Sequence, residues 1–175
     1  RAFLHTGAPG KANEAFDTAL SHDSSASVRS EVDRLRRFAN LPGVLPELEA
    51  LDGALSAGDL EKALVLAQRL TVDHETLSEG WLFLGVVHQR LEQSDLAIAG
   101  FEQALRLNSD FGEAHNRLGI LLVGLASYQK GYDHLQRAVA LLEHDPGPWI
   151  HLAQACFYLE KADEGRAALA QATRL

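Results

Sequence analysis

A register of 34 residues runs through most of this chain and constrains its fold more than any other feature. Trp81-Leu82-Phe83-Leu84-Gly85 has counterparts at His115-Asn116-Arg117-Leu118-Gly119 and at Trp149-Ile150-His151-Leu152-Ala153, each 34 residues on. The same step links Ala97, Gly131 and Gly165, then Phe101, Leu135 and Leu169, then Ala104, Ala138 and Ala172. Backwards it reaches Ala63, Ala67 and Leu70. Four units follow without a slip: 44–77, 78–111, 112–145 and 146–175. A period of this length marks a stack of small supersecondary units, each unable to bury its apolar face alone.

Within a unit the apolar residues recur every three or four positions. In the second unit Leu82, Gly85, Val86 and Gln89 are followed by Ala97, Gly100, Phe101, Ala104 and Leu105. That is helical spacing, read twice around a short polar turn. Each unit is therefore expected to be a pair of helices. Ser94-Asp95 and Ser127 are candidate starts of second helices, because their side-chain oxygens accept orphan backbone N–H groups. Pro146 and Pro148 suit the first turn of a helix, where a missing donor costs little. Gly85, Gly119 and Ala153 form a small-residue column expected where helices cross closely.

The pattern resembles the tetratricopeptide repeat family, whose signature has the form W-x2-L-G-x2-Y, then A-x3-F-x2-A, then P. The unit 78–111 carries it best, with Trp81, Leu84, Gly85, Ala97, Phe101 and Ala104; His88 and Ser109 stand where the family has Tyr and Pro. The unit 44–77 is poorest, with Glu47, Ala50 and Leu51 in the aromatic, Leu and Gly positions. The resemblance implies an all-α, right-handed α-α superhelix, a solenoid of antiparallel helix pairs. It also implies that first helices line a concave groove for a protein or peptide partner.

Carried over position by position, that groove is expected to present Leu82, Phe83, Val86, Gln89 and Arg90 from the second unit. Asn116, Arg117, Ile120 and Val123 follow from the third, and Ile150, His151, Gln154, Phe157 and Tyr158 from the fourth. Leu48, Glu49 and Asp52 occupy these columns in the first unit and make that end acidic. Apolar pockets would supply affinity, while amides and Arg would fix register. One family subgroup clamps the carboxylates of chaperone tails with Lys and Asn in first-helix columns. Here those columns hold Leu48, Asp52 and Phe83, or, one repeat on, Leu82, Val86 and Arg117, so that clamp is expected to be absent. The Asn ladder of glycosyltransferase-associated repeats is replaced by Glu49, Phe83, Arg117 and His151.

The amino-terminal quarter, 1–43, reads as a partial repeat plus an insert. Residues 10–21 resemble a second helix with Ala15 and Ala19 in the small columns, and about fourteen extra residues separate it from Ala63. A short helix is expected over about 30–40, with Ser30 and Asp33 as a capping box. The start of the chain has no initiator Met and no signal-peptide core, which suggests a processed or excised piece of something longer.

Chemistry is sparse. No HExxH, CxxC, GxGxxG or GxSxG pattern occurs, and Gly7-Ala8-Pro9-Gly10-Lys11 lacks both the first Gly and the Ser or Thr of a phosphate loop. Of the eight His, His115 and His88 fall in packing columns, His74, His134 and His144 near turns or on outer faces, and His151 in the groove. No metal and no cofactor are expected, and Cys156 reads as a core thiol. A single Cys forms no internal disulfide, which favours a cytoplasmic setting over a periplasmic one. Sixteen Lys+Arg against 24 Asp+Glu, a net charge of −8, argues against a nucleic-acid partner. No apolar run approaches the roughly 18–20 residues of a membrane span.

The sequence thus predicts a non-catalytic scaffold that binds a protein partner. Its alternative is the substrate-recruiting or regulatory arm of a larger enzyme, such as a glycosyltransferase or sulfotransferase, whose catalytic domain lies outside this chain. Self-association through the C-terminal end of the stack is a further expectation, because no polar capping helix follows the last unit.

Overall fold

The computed structural model describes residues 43–175, together with 17, 18, 20–22, 32 and 41. The chain divides into two compact units, Arg1–Asp59 and Leu60–Leu175, so the period's first copy, 44–77, spans the division. In the first unit, residues 17, 18 and 20–22 are helical, as is Val32; the remainder of the expected helices over 10–21 and 30–40 lies outside the described residues. Helix α1 (Val44–Ser56) follows a left-handed Gly43 with φ 93°.

The second unit is built from α2 (Leu60–Asp73), α3 (Ser78–Arg90), α4 (Ser94–Leu107), α5 (Gly112–Gly124), α6 (Tyr128–Leu141), α7 (Pro146–Tyr158) and α8 (Ala162–Ala172). Within this unit every helix packs on its neighbours in sequence. Among the described residues there is no strand, and those of the second unit form the expected all-α solenoid of helix pairs.

The repeat is written into the backbone as well as the side chains. Gly58, Glu92, Ala126 and Glu160 all have φ between 58° and 74°, and each stands 34 residues from the next. They sit at the turn between first and second helix, in the left-handed region that only Gly enters at no steric cost. In the second repeat this geometry lets Gln93 N–H reach the His88 carbonyl at 2.9 Å, while Ser127 and Lys161 repeat the bond to Leu122 and Cys156 at 2.8 and 2.9 Å. The six-to-one bond is the Schellman closure of a helix end. Because Ala126 adopts φ 60° without being Gly, Ala126→Gly is expected to raise stability by up to about 1 kcal/mol. Chemical denaturation reads the gain directly.

Helix starts differ from expectation at two places. Ser127 does precede α6, but its side chain makes no capping bond, and Ser94 lies inside α4 with Gln93 at the cap. The Schellman turn places Ser127 one residue and Ser94 two residues after a left-handed position, and the backbone closure organises the entry without their side chains. Asp145 caps α7 through its side chain: its Oδ1 accepts Gly147 N–H at 2.8 Å, with Pro146 in the first turn as expected.

The small-residue column does what the sequence predicts. A Cβ on Gly85 would lie 2.6 Å from the Phe101 ring, and one on Gly119 would lie 2.6 Å from Leu135 Cγ. Around these crossings run two apolar clusters. Leu82, Ala97, Phe101, Ala104, Ala114 and Leu118 join α3, α4 and α5. Val123, Tyr132, Leu135, Val139, Leu152, Ala153 and Cys156 continue through α7. At the second-helix side Tyr132 of α6 donates to Glu164 Oε2 of α8 at 2.5 Å and accepts from Gln136 at 2.6 Å, with Lys161 Nζ 3.8 Å from its ring centre. Burial, then the Glu164 carboxylate, push the Tyr132 phenol up to about 12. It therefore stays a neutral donor, tying the last two repeats together.

Candidate functional site

The side chains expected to face a groove on α3, α5 and α7 differ in exposure. Phe83, Val86 and Ile120 are partly buried, and Arg90, Arg117 and Gln154 are exposed. Ile150, Phe157 and Tyr158 are large apolar side chains exposed on α7, Phe157 to 77%. Seven residues separate Ile150 from Phe157, so they share one face of the helix. Tyr158 stacks on Tyr128 with ring centres 4.7 Å apart and meets Phe157 edge to face at 5.6 Å.

Leu82, Asn116 and Val123 are a correction. They are 8%, 8% and 6% exposed and so do not offer a side-chain surface to a partner. Leu82 belongs to the apolar cluster that includes Ala114 and Leu118 of the next first helix. Asn116 is covered by the following repeat too, and its Oδ1 lies 3.1 Å from His151 Nδ1. Since Asn Oδ1 only accepts, His151 holds its proton on Nδ1 and keeps Nε2 as an acceptor. This side-chain bridge fastens α5 to α7.

The polar part of the face is small and mutually organised. Arg117 Nε donates to Glu113 Oε1 at 2.7 Å, one helical turn back. Exposed pairs of this kind add little stability, so the pair orients the guanidinium more than it holds the fold. His151 titrates below the ordinary histidine value, first through burial and then through Arg117, with Asp145 and Glu113 opposing. It is therefore a neutral imidazole at physiological pH.

Other sequence candidates are disposed of by position. Cys156 is buried, and burial followed by Glu164 pushes its thiol up, which makes it an inert core residue. No group of three or more His, Cys, Asp or Glu among the described residues is arranged to hold a metal ion. No described helix is long and apolar enough to cross a membrane.

One pairing escaped sequence reading. His134, expected near a turn or an outer face, is half-buried, with its Nδ1 2.9 Å from Nδ1 of His115 on the partner helix of the same repeat. The signal was available in the repeat columns. His115 replaces the Trp of Trp81 and Trp149, while His134 replaces the small residue of Gly100 and Ala168. One large and one small residue have been exchanged for two of middle size.

The tetratricopeptide repeat family model matches residues 78–111. No curated protein matches the chain in sequence. Among solved structures the chain is similar to MamA at 16% identity, over 99% of this chain and 91% of that one, with a TM-score of 0.67. A thermophilic tetratricopeptide repeat protein of Thermus thermophilus aligns at 19% identity, over 97% and 84% of the two chains, with a TM-score of 0.64. The second such domain of human RPAP3, solved in complex with the HSP70 peptide SGPTIEEVD, aligns at 15% identity over 62% and 91%, with a TM-score of 0.57.

Proposed function

We propose that this chain, which carries tetratricopeptide repeats, is a non-catalytic interaction module that takes an apolar stretch of a protein partner against its first-helix face. The observation that carries the reading is the set Ile150, Phe157 and Tyr158, large apolar side chains left in solvent on α7, with Arg117 oriented by Glu113 on the preceding first helix. Exposed aromatic side chains grouped in this way are what interaction hot spots are made of. Solved relatives in fold support a peptide as occupant, since domains of RPAP3 hold HSP90 and HSP70 peptides.

The occupant differs from those acidic tails. In the first-helix columns Leu48, Asp52 and Phe83, or one repeat on Leu82, Val86 and Arg117, stand where a carboxylate clamp needs Lys or Asn, and Asn116 is already engaged with His151. Apolar anchors flanking one carboxylate, set opposite Arg117, fit the face better. Phe157→Asp with Arg117→Glu is expected to abolish capture of the partner in crosslinking or pull-down while moving the melting temperature by no more than a few degrees, because both side chains are exposed. Capture that survives the double substitution would remove this face from the interaction.

Self-association through the C-terminal end belongs to the same reading. Leu169 is 49% exposed although its column mates Phe101 and Leu135 are fully buried, which supports a surface seeking cover. Light scattering on the chain across a range of concentrations tests it; a monomer at every concentration would dispose of it.

A further inference from the structure

We propose that the His115–His134 pair is an acid-operated release between the two helices of the third repeat: it holds together with no added proton or with one, and parts with two. The inference does not depend on what the groove binds.

The geometry fixes the tautomers. His115 Nε2 lies 3.1 Å from the Ser109 carbonyl, six residues back, where Trp81 Nε1 donates to the Glu75 carbonyl at 3.0 Å, also six residues back. A carbonyl only accepts, so His115 carries its proton on Nε2, standing in for the indole N–H of its column. Its Nδ1 is then a lone pair, and the proton in the 2.9 Å contact must come from His134 Nδ1. The ring centres are 5.2 Å apart, which is the contact plus one ring radius on either side. The two nitrogens therefore meet head-on. That alignment suits an N–H···N hydrogen bond and leaves no room for a metal ion between them.

Protons add in a defined order. The neutral pair has one open basic site, His134 Nε2, and a proton there leaves the His134 Nδ1–H donor in place, now charge-assisted. A second proton can enter only at His115 Nδ1. It puts an N–H on both facing nitrogens and a positive charge on both rings, and the contact is lost. Coupled groups of this kind titrate in two steps that belong to the pair.

The surroundings favour the neutral state. His115 is held below the ordinary 6.5 by burial and by Arg137, against the Ser109 carbonyl and Asp110. His134 is held below it by burial and by His115, against Asp133 and Glu102. These groups come from α4, α6 and the turn before α5, and their net effect is to penalise charge. The unfolded chain consequently binds more protons below 6.5. The pair's contribution to stability is full above that value and is lost as pH falls through the lowered ones.

The test is ring-nitrogen NMR from about pH 8 to about pH 4.5, with thermal unfolding at the same pH values, on the whole chain and on His115→Trp/His134→Ala. That double substitution copies the Trp149–Ala168 combination of the fourth repeat, so the fold has a precedent for it. The parent is expected to show His115 as the Nε2–H tautomer and His134 as the Nδ1–H tautomer at high pH, then two steps separated by about one pH unit or more. Its melting temperature is expected to fall several degrees further between pH 7 and 5 than that of the double variant. The opposite tautomers, or equal falls in both proteins, would overturn the proposal. If the double variant does not fold, His134→Asn decides instead. Its amide still donates to His115 but does not titrate, so the two-step titration must disappear.

Discussion

Gly119→Leu is expected to unfold the stack. A single Cβ at this position would already lie 2.6 Å from Leu135 Cγ, 3.0 Å from Leu135 Cδ2 and 3.1 Å from the Gly131 carbonyl. Leu135 is fully buried and the carbonyl belongs to a helix backbone, so neither neighbour swings aside cheaply. Relief requires α5 and α6 to separate, and this is the most extensively packed helix pair among the described residues. The expected cost lies at the upper end of about 1–3 kcal/mol, or beyond it, for overpacking of a core crossing. Gly124, on the same helix, has nothing within 4 Å of its would-be Cβ. Gly124→Ala is therefore expected to be neutral or to add up to about 1 kcal/mol, since Ala is the better helix former. Urea denaturation of the two variants beside the parent distinguishes a steric crossing from a general intolerance of substitution. Equal stability of Gly119→Leu and parent would mean that the 34-residue register has been assigned to the wrong columns.

What the sequence makes legible is the part of the fold that repeats through side-chain size. Gly85 and Gly119 are readable because close approach demands the loss of a side chain, and Phe101 and Leu135 because they fill the space so created. The left-handed column is a different matter. Only Gly58 announces it; Glu92, Ala126 and Glu160 adopt the same φ because the packed helices on both sides dictate the turn. Local residue choice is overridden there by tertiary context. The groove is legible as a set of columns, but not as a surface. Position within a helix says that Leu82 and Asn116 point toward the first-helix side, whereas their burial depends on the following repeat, through Leu118 and His151, closing over them. The His115–His134 contact joins residues 19 apart across a turn. It becomes visible only when two columns are compared at once and both are found to depart in the same repeat.

Truncating one column in three successive repeats is expected to give three different results, although the column occupies the same place in every repeat. Phe101 and Leu135 are 0% exposed, whereas Leu169 is 49% exposed. Phe101→Ala removes the largest fully buried side chain among the described residues and leaves a cavity between α3, α4 and α5. The expected loss is about 3–5 kcal/mol, the sum of lost transfer energy and unfilled space. Leu135→Ala does the same in the next repeat with a smaller side chain, at about 2–5 kcal/mol. At Leu169 half of the side chain already meets water, and the substitution is expected to cost about 1 kcal/mol or less. The gradient follows from how a stack acquires stability. Each repeat contributes one apolar side and borrows the other from its neighbour, so a residue's worth depends on whether a following first helix covers it. In the second and third repeats that helix is present as α5 and α7, bringing Leu118 and Leu152. The same dependence explains why the Ile150 column is 8% exposed at Leu82 and Asn116 but 51% exposed in the last repeat. If Leu169→Ala cost as much as Leu135→Ala under concentrations where the chain is monomeric, its side chain would have to be buried in solution, and the exposed end described by these columns would not exist. If the cost rose with protein concentration instead, a second copy would be supplying the missing side.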